Sequence, residues 1–348
     1  MEARDSIFMR ACFGKSVERH PVWFMRQAGR YLPGYNQIKN GINVLDIQAN
    51  PVAASRITML PIEMLGVDAA ILYADIMIPL KASGYDVRIE ESIGPVMGRL
   101  IESADELKEL SQFKCEYNAP YVLKNIEAVK SALPASIPLI GFAAGPFTLL
   151  SYVFEGRPSR TFERCIGLMR NSQGEWHKAM SFATEMTLGY LHSQIRAGAD
   201  AVQLFDSWAG LLPKELYVKH VMPYAKLVFE GLPSNVPKIY FSSRTGGFLK
   251  EFSSLGCNAI SIGSDISIGE AIEAIGDKVA IQGNLSPELA VKGGDEMVRA
   301  TKDILEAAGD RYGFIFNLGH GVLKETPYQN LKQVVEIVKS TQIKARSA

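Results

Sequence analysis

Eight short apolar runs recur along the chain, each followed by a longer amphipathic stretch. This alternation constrains the fold more than any other feature. The runs fall at 22–27 (VWFMRQ), 70–75 (AILYAD), 139–144 (LIGFAA), 202–207 (VQLFDS), 238–243 (KIYFSS), 259–263 (AISIG), 279–284 (VAIQGN) and 314–319 (FIFNLG). Near-continuous apolar runs of this length suit parallel strands buried on both faces. Eight βα units with no linker between them predict an α/β fold, a single (β/α)8 TIM barrel forming one domain over residues 1–348. An open doubly wound sheet is the alternative.

Helical periodicity fills the gaps. Residues 51–65 carry Ala53, Ile57, Leu60 and Met64 at helical spacing, and 160–197 and 213–231 read as long helical segments. Near the C-terminus, Thr326 as N-cap, Pro327 at the first helical position and Gln329 form a capping-box pattern. Leu331, Val334, Val335 and Val338 then make the apolar stripe of a final helix. Residues 85–100 differ: VRIEE, a Gly-Pro turn and a further apolar run predict a β-hairpin inserted in the second βα connection.

Composition narrows the function. The 37 basic and 37 acidic residues cancel, which gives no general case for nucleic acid or a membrane surface as partner. Cys12, Cys115, Cys165 and Cys257 form no CxxC and no metal-ligand spacing, so a reducing compartment is expected and no metal site. The first residues mix charges without an apolar core segment, and no run is long enough to span a bilayer. A cytoplasmic protein is the expectation. No P-loop or dinucleotide fingerprint occurs, since GFAAGPF lacks GxGxxG spacing.

In a TIM barrel the active site lies at the C-terminal ends of the strands. Those positions hold Arg26 and Arg30, Asp75, Gly145 with Pro146, Asp206 with Ser207, Ser243 with Arg244, Asp265, Asn284 and His320. Two forked guanidiniums can grip carboxylates or phosphates. Asp75 stands in an apolar run, AAILYADIMIPL, where a carboxylate is costly without a partner. His320 lies between two glycines in NLGHGV; His20, His177, His192 and His220 read as structural.

Together these pieces resemble the uroporphyrinogen decarboxylase family. The motifs are PVWFMRQAGRYLPGY at 21–35 and GFAAGPFTLLSYVFEG at 141–156, with VDAAILYADI, LFDSWAG, VAIQGNLSP and NLGHG in order between residues 21 and 321. The resemblance implies a single (β/α)8 barrel, a homodimer, and no metal or organic cofactor. It implies cofactor-independent decarboxylation of the four acetate arms of uroporphyrinogen III to coproporphyrinogen III. Residue by residue, it implies that Arg26 and Arg30 bind substrate carboxylates, and that Arg26 and Asp75 act in catalysis. Asp75 would hold the pyrrole N–H groups, Tyr152, Ser207 and His320 would contact side-chain carboxylates, and Phe205 would pack on the macrocycle.

The sequence departs from the family pattern at Gly34, Asp206 and Ile266, and at Ala49, where many members carry a basic residue near the substrate. Two other functions belong to the same fold reading. Zinc-dependent corrinoid methyltransferases need a His-x-Cys pair and a later Cys; the corresponding strand here reads Phe241-Ser242-Ser243. A non-catalytic tetrapyrrole-binding protein would keep the pocket without the chemistry.

Overall fold

The structure, a computed structural model, describes residues 2–90, 93–110 and 113–343. Seven parallel strands form one sheet: β1 (Ala70–Ile71), β4 (Leu139–Ala144), β5 (Ala201–Phe205), β6 (Lys238–Phe241), β7 (Ala259–Ser261), β8 (Ala280–Leu285) and β9 (Phe314–Leu318), in that spatial order. Two further strands, β2 (Val87–Glu90) and β3 (Gly94–Met97), pair antiparallel as a hairpin between β1 and β4. Every residue of β4, β8 and β9 is buried, as strands covered by helices outside and side chains inside must be.

The run at 22–27 is not a strand. It makes a single parallel bridge, Val22 to Phe316. Around it, Phe316 N–H donates to Pro21 O at 2.8 Å and Trp23 N–H to Phe316 O at 3.3 Å. On the other flank Asp68 N–H donates to Val22 O at 2.8 Å. Residues 21–25 therefore touch both edges of the sheet and close it into a (β/α) barrel, occupying the place of an eighth strand. Val22, Trp23, Phe24 and Met25 are all buried, which is why the segment reads as a strand. Its remaining amides are met by side chains, so no ladder forms: Val22 N–H donates to Asp68 Oδ2, Phe24 N–H to Gln27 Oε1 and Met25 N–H to Asn317 Oδ1. Asp68 is itself gripped by both terminal nitrogens of Arg19.

Inside the barrel a polar line crosses the core. Trp23 Nε1 donates to Gln282 Oε1 at 2.9 Å, Gln282 Nε2 to Gln203 Oε1 at 3.3 Å, and Gln203 Nε2 reaches Met25 Sδ at 3.3 Å. Gln203 on β5 and Gln282 on β8 are three strands apart in the sheet, so they meet only through the interior. Burying two amides is tolerated because each is paired.

Several helices also differ from the sequence pattern. The 160–197 segment divides into Glu163–Asn171 and Gln173–Ala197, and 213–231 into Lys214–His220 and Met222–Gly231. Pro223 starts the latter, where its missing N–H costs nothing. The last helix, Tyr328–Ser340, begins one residue after the expected capping box. Its N-cap is Pro327 with no side-chain cap, and the Thr326 hydroxyl is buried without a partner among the described residues. The expected stripe Leu331, Val334, Val335 and Val338 is buried. The helix Pro51–Leu65 forms with Asn50 as its N-cap. Within it, Thr58 Oγ1 donates to Ala54 O and accepts from Tyr73 N–H, tying the helix to the chain leaving β1. Among the described residues no helix is long and apolar enough to cross a membrane.

Candidate active site

A cavity of about 660 Å³ opens at the C-terminal ends of the strands. All seven side chains singled out in the sequence line it: Arg26, Arg30, Asp75, Tyr152, Phe205, Ser207 and His320.

Arg26 does not end a strand, as its sequence position suggested. The chain turns at Arg26 into the left-handed region, φ 59°, which an arginine adopts at some cost. That turn throws the side chain off the barrel wall and over the backbone of Gly321. Arg30 lies on the same loop, where the Tyr31 hydroxyl donates to Gln27 O at 2.6 Å and stiffens the turn.

Asp75 follows β1, and its Oδ1 accepts from Met77 N–H at 2.8 Å, at the start of the short helix Ile78–Ala82. Its other oxygen has no protein partner among the described residues. Burial pushes the Asp75 carboxyl above the usual carboxylate range; the Met77 N–H and the Arg26 charge pull it back. The site thus presents a carboxyl group with one oxygen unused by the protein. Burial moves the His320 imidazole down to about 4, with the Arg26 charge adding to the shift. His320 is therefore neutral at ordinary pH and offers a ring N–H rather than a positive charge. Tyr152 is pushed up to about 12, mainly by burial, so it is a hydroxyl donor.

One wall is aromatic. Phe142 and Phe205 meet edge to face at 5.4 Å, Phe205 and Phe241 at 5.6 Å, and Phe241 and His320 at 5.7 Å. On another side Tyr35 and Tyr73 share a hydroxyl–hydroxyl hydrogen bond of 2.6 Å. Tyr35, Tyr73, Phe142, Phe241, Lys324 and Glu325 also line the cavity and were not anticipated. Phe142 and Tyr73 sit within runs whose apolar character marked them as core only. Lys324 follows the His320 motif by four residues, and that proximity was the one available signal.

Several expected strand-end residues lie outside the cavity lining. Asp206 is fully buried behind the wall, where Oδ1 accepts from Thr148 N–H and Oδ2 from the Tyr240 hydroxyl. Burial raises its carboxyl to about 6. It caps the helix Pro146–Glu155, which carries Tyr152; Gly145 makes room, since a Cβ there would stand 2.4 Å from the Asp206 carboxyl carbon. Asp265 Oδ2 accepts from Gly246 N–H, and Asn284 Nδ2 donates to two backbone carbonyls. Ser243 and Arg244 do not line the cavity, and Ala49 is exposed on a loop outside it. Among the described residues no three His, Cys, Asp or Glu side chains come together as metal ligands. The four cysteines are buried and free: Cys12, Cys115 and Cys165 lie on three different helices and Cys257 in a loop.

The sequence matches the family model for uroporphyrinogen decarboxylase (URO-D) over residues 3–341. It is 40% identical over 336 residues to the uroporphyrinogen decarboxylase of Carboxydothermus hydrogenoformans, covering 96% of each chain. It is 39% identical over 339 residues to a protein of the same name from Thermus thermophilus, covering 97% of this chain and 98% of the other. Among solved structures, a methyltransferase from Methanosarcina mazei has the same fold, with a TM-score of 0.80 at 18% identity over 97% of this chain and 99% of that one. Family model and relatives agree over nearly the whole length, and the chain belongs to the uroporphyrinogen decarboxylase family.

Proposed function

We propose that this protein decarboxylates the four acetate arms of uroporphyrinogen III to give coproporphyrinogen III, in tetrapyrrole biosynthesis. The observation that carries the reading is Asp75: a carboxylate facing the cavity with one oxygen on Met77 N–H and the other open, near the Arg26 charge. A flexible, non-aromatic macrocycle can dome so that its four pyrrole N–H groups point at one anion. Arg26 and Arg30 bind its carboxylates, and Tyr152, Ser207 and His320 donate hydrogen bonds to others. Phe205 packs against a pyrrole face as part of the aromatic wall.

In each round a proton adds to the pyrrole α-carbon next to the ring carbon that bears the acetate arm, leaving a cation delocalised from that arm-bearing carbon to the ring nitrogen. The arm's C–CO2 bond breaks and its electron pair neutralises that cation. The exocyclic methylene takes up a proton to become methyl, and the ring gives its added proton back. The net change is loss of CO2 and uptake of one proton. Asp75 stabilises the cation, an electrostatic contribution on the order of 3 kcal/mol or more in a water-poor site. The macrocycle accepts the electron pair itself, so the reaction calls for no metal or organic cofactor. Arginine is a weak proton source, with a pKa above about 12, so Arg26 orients a carboxylate and a water beside it supplies the proton.

The same reading treats residues 1–348 as one domain of a cytoplasmic homodimer. Incubation with uroporphyrinogen under anaerobic conditions, followed by chromatography of products by carboxylate number, tests it. Products with seven to four carboxylates, formed undiminished in the presence of a chelator, are expected. A folded protein that leaves the eight-carboxylate substrate intact would be a binding protein instead, and activity that chelation abolishes would point to the methyltransferase-like alternative.

A further inference from the structure

The backbone that delivers Arg26 is held by side chains from distant parts of the sequence. At its end, Met25 N–H donates to Asn317 Oδ1 at 3.1 Å, and Met25 O accepts from Val322 N–H at 2.9 Å. Asn317 lies on β9, completely buried, and its Oδ1 also accepts from Leu318 N–H at 2.8 Å. Its Nδ2 is buried with no partner among the described residues. An unpaired buried donor is a standing cost. An apolar residue at 317 would remove that cost and would instead strand the Met25 N–H. The asparagine is thus worth its cost only through what its oxygen holds.

Met25 is the last residue before the left-handed turn at Arg26, and it also lines the cavity. The same β9 strand runs on into Gly319, His320 and Gly321, over which the Arg26 side chain lies. The Asn317–Met25 bond therefore fixes Arg26 relative to both His320 and Gly321 from a single rigid strand. We infer that Asn317 is a positioning residue for Arg26: by accepting the Met25 N–H it sets the turn that delivers the Arg26 side chain to the cavity. This rests on the reading above, in which Arg26 engages the substrate.

A double-mutant cycle tests it. Asn317→Leu is expected to lower kcat/KM for uroporphyrinogen by about tenfold in the presence of Arg26, and by less than about twofold in an Arg26→Lys background, because a group that acts through another is silent once that other is changed. Asn317→Ala is carried through the same cycle, so that the result does not depend on the leucine variant folding. Asn317→Asp keeps an acceptor at the same place and is expected to stay within about threefold of the parent. Ile315→Val, a core change on the same strand, controls for lost stability and is expected to leave kcat/KM unchanged. Equal losses in both backgrounds, or full activity in a folded Asn317→Leu or Asn317→Ala variant, overturn the proposal. An Arg26→Lys protein as active as the parent overturns it too, and that single variant separates failure of the site reading from failure of the positioning role.

Discussion

The Arg26 side chain lies across the backbone of Gly321 so closely that a methyl group at 321 would stand 2.5 Å from Arg26 Cδ and 2.8 Å from Cγ. Only glycine, which has no Cβ, leaves that guanidinium where it is. Gly321→Ala is expected to displace Arg26 and lower kcat/KM by about tenfold, near 1.4 kcal/mol, with little change in melting temperature. A crystal structure of the variant with Arg26 unmoved, or unaltered kinetics, would contradict this.

Asp75→Asn keeps an oxygen for the Met77 N–H and so should keep the fold. It removes the charge that faces the cationic ring. Turnover is expected to fall by a factor on the order of 10² or more, while Asp75→Glu retains part of it. Turnover of each purified variant under anaerobic conditions checks both expectations.

The Arg26 charge helps to hold the His320 imidazole down at about 4. Removing a like charge lets a base protonate more easily, so Arg26→Met is expected to move the His320 midpoint upward. A titration of the ring by NMR in the two proteins measures it directly, and a midpoint that stays put would mean the two groups are electrically independent.

His20 is buried against Phe314, its Nε2 donating to Gly309 O at 3.1 Å, and burial lowers its pKa to about 4. The unfolded chain binds the proton near the ordinary histidine value of about 6.5, so stability is lost as pH falls from there toward 4 and is level below. Between pH 7 and 5 the loss from His20 is at most about 2 kcal/mol. Urea unfolding at the two pH values should show a smaller difference for His20→Gln than for the parent.

Lys324 stands at the cavity mouth, half-exposed, with Glu325 at 3.7 Å. A cation there meets the outer carboxylates of an eight-fold acid. Lys324→Ala is expected to raise KM by about two- to fivefold with kcat unchanged, an effect that fades at high salt as exposed charge pairs do. Ala49 lies outside the cavity, so Ala49→Lys should leave KM unchanged; steady-state kinetics at two ionic strengths decides both.

What the sequence disclosed followed from local chemistry. LIGFAA is apolar throughout and forms β4 with the expected ends. Asp75 stood out because a carboxylate in an apolar run needs a reason. The segment 22–27 misled for a physical cause: its side chains are buried like those of a strand, but its amides are satisfied by Asp68 and Asn317, far along the chain. A pattern of apolar residues carries no record of such partners. Nor does it reveal that the carboxylate of Asp206 faces away from the cavity while its neighbour Ser207 faces in. Thr326 carries the composition of a helix cap without its geometry, because the helix starts after Pro327.

The closure of the barrel by residues 21–25 has a mechanical consequence. A ring of backbone-paired strands has no favoured place to part, whereas this one has a seam. Along it, one bridge, two further backbone bonds and a few side-chain acceptors replace a full ladder of bonds. Local opening runs to the regions with the fewest cooperative bonds, and at the seam it would carry Arg26 out of the cavity long before the other strands separate. The amide protons of Val22, Phe24 and Met25 are then sensors of a half-unzipped enzyme: their exchange rates report how often the cavity stands without its arginine.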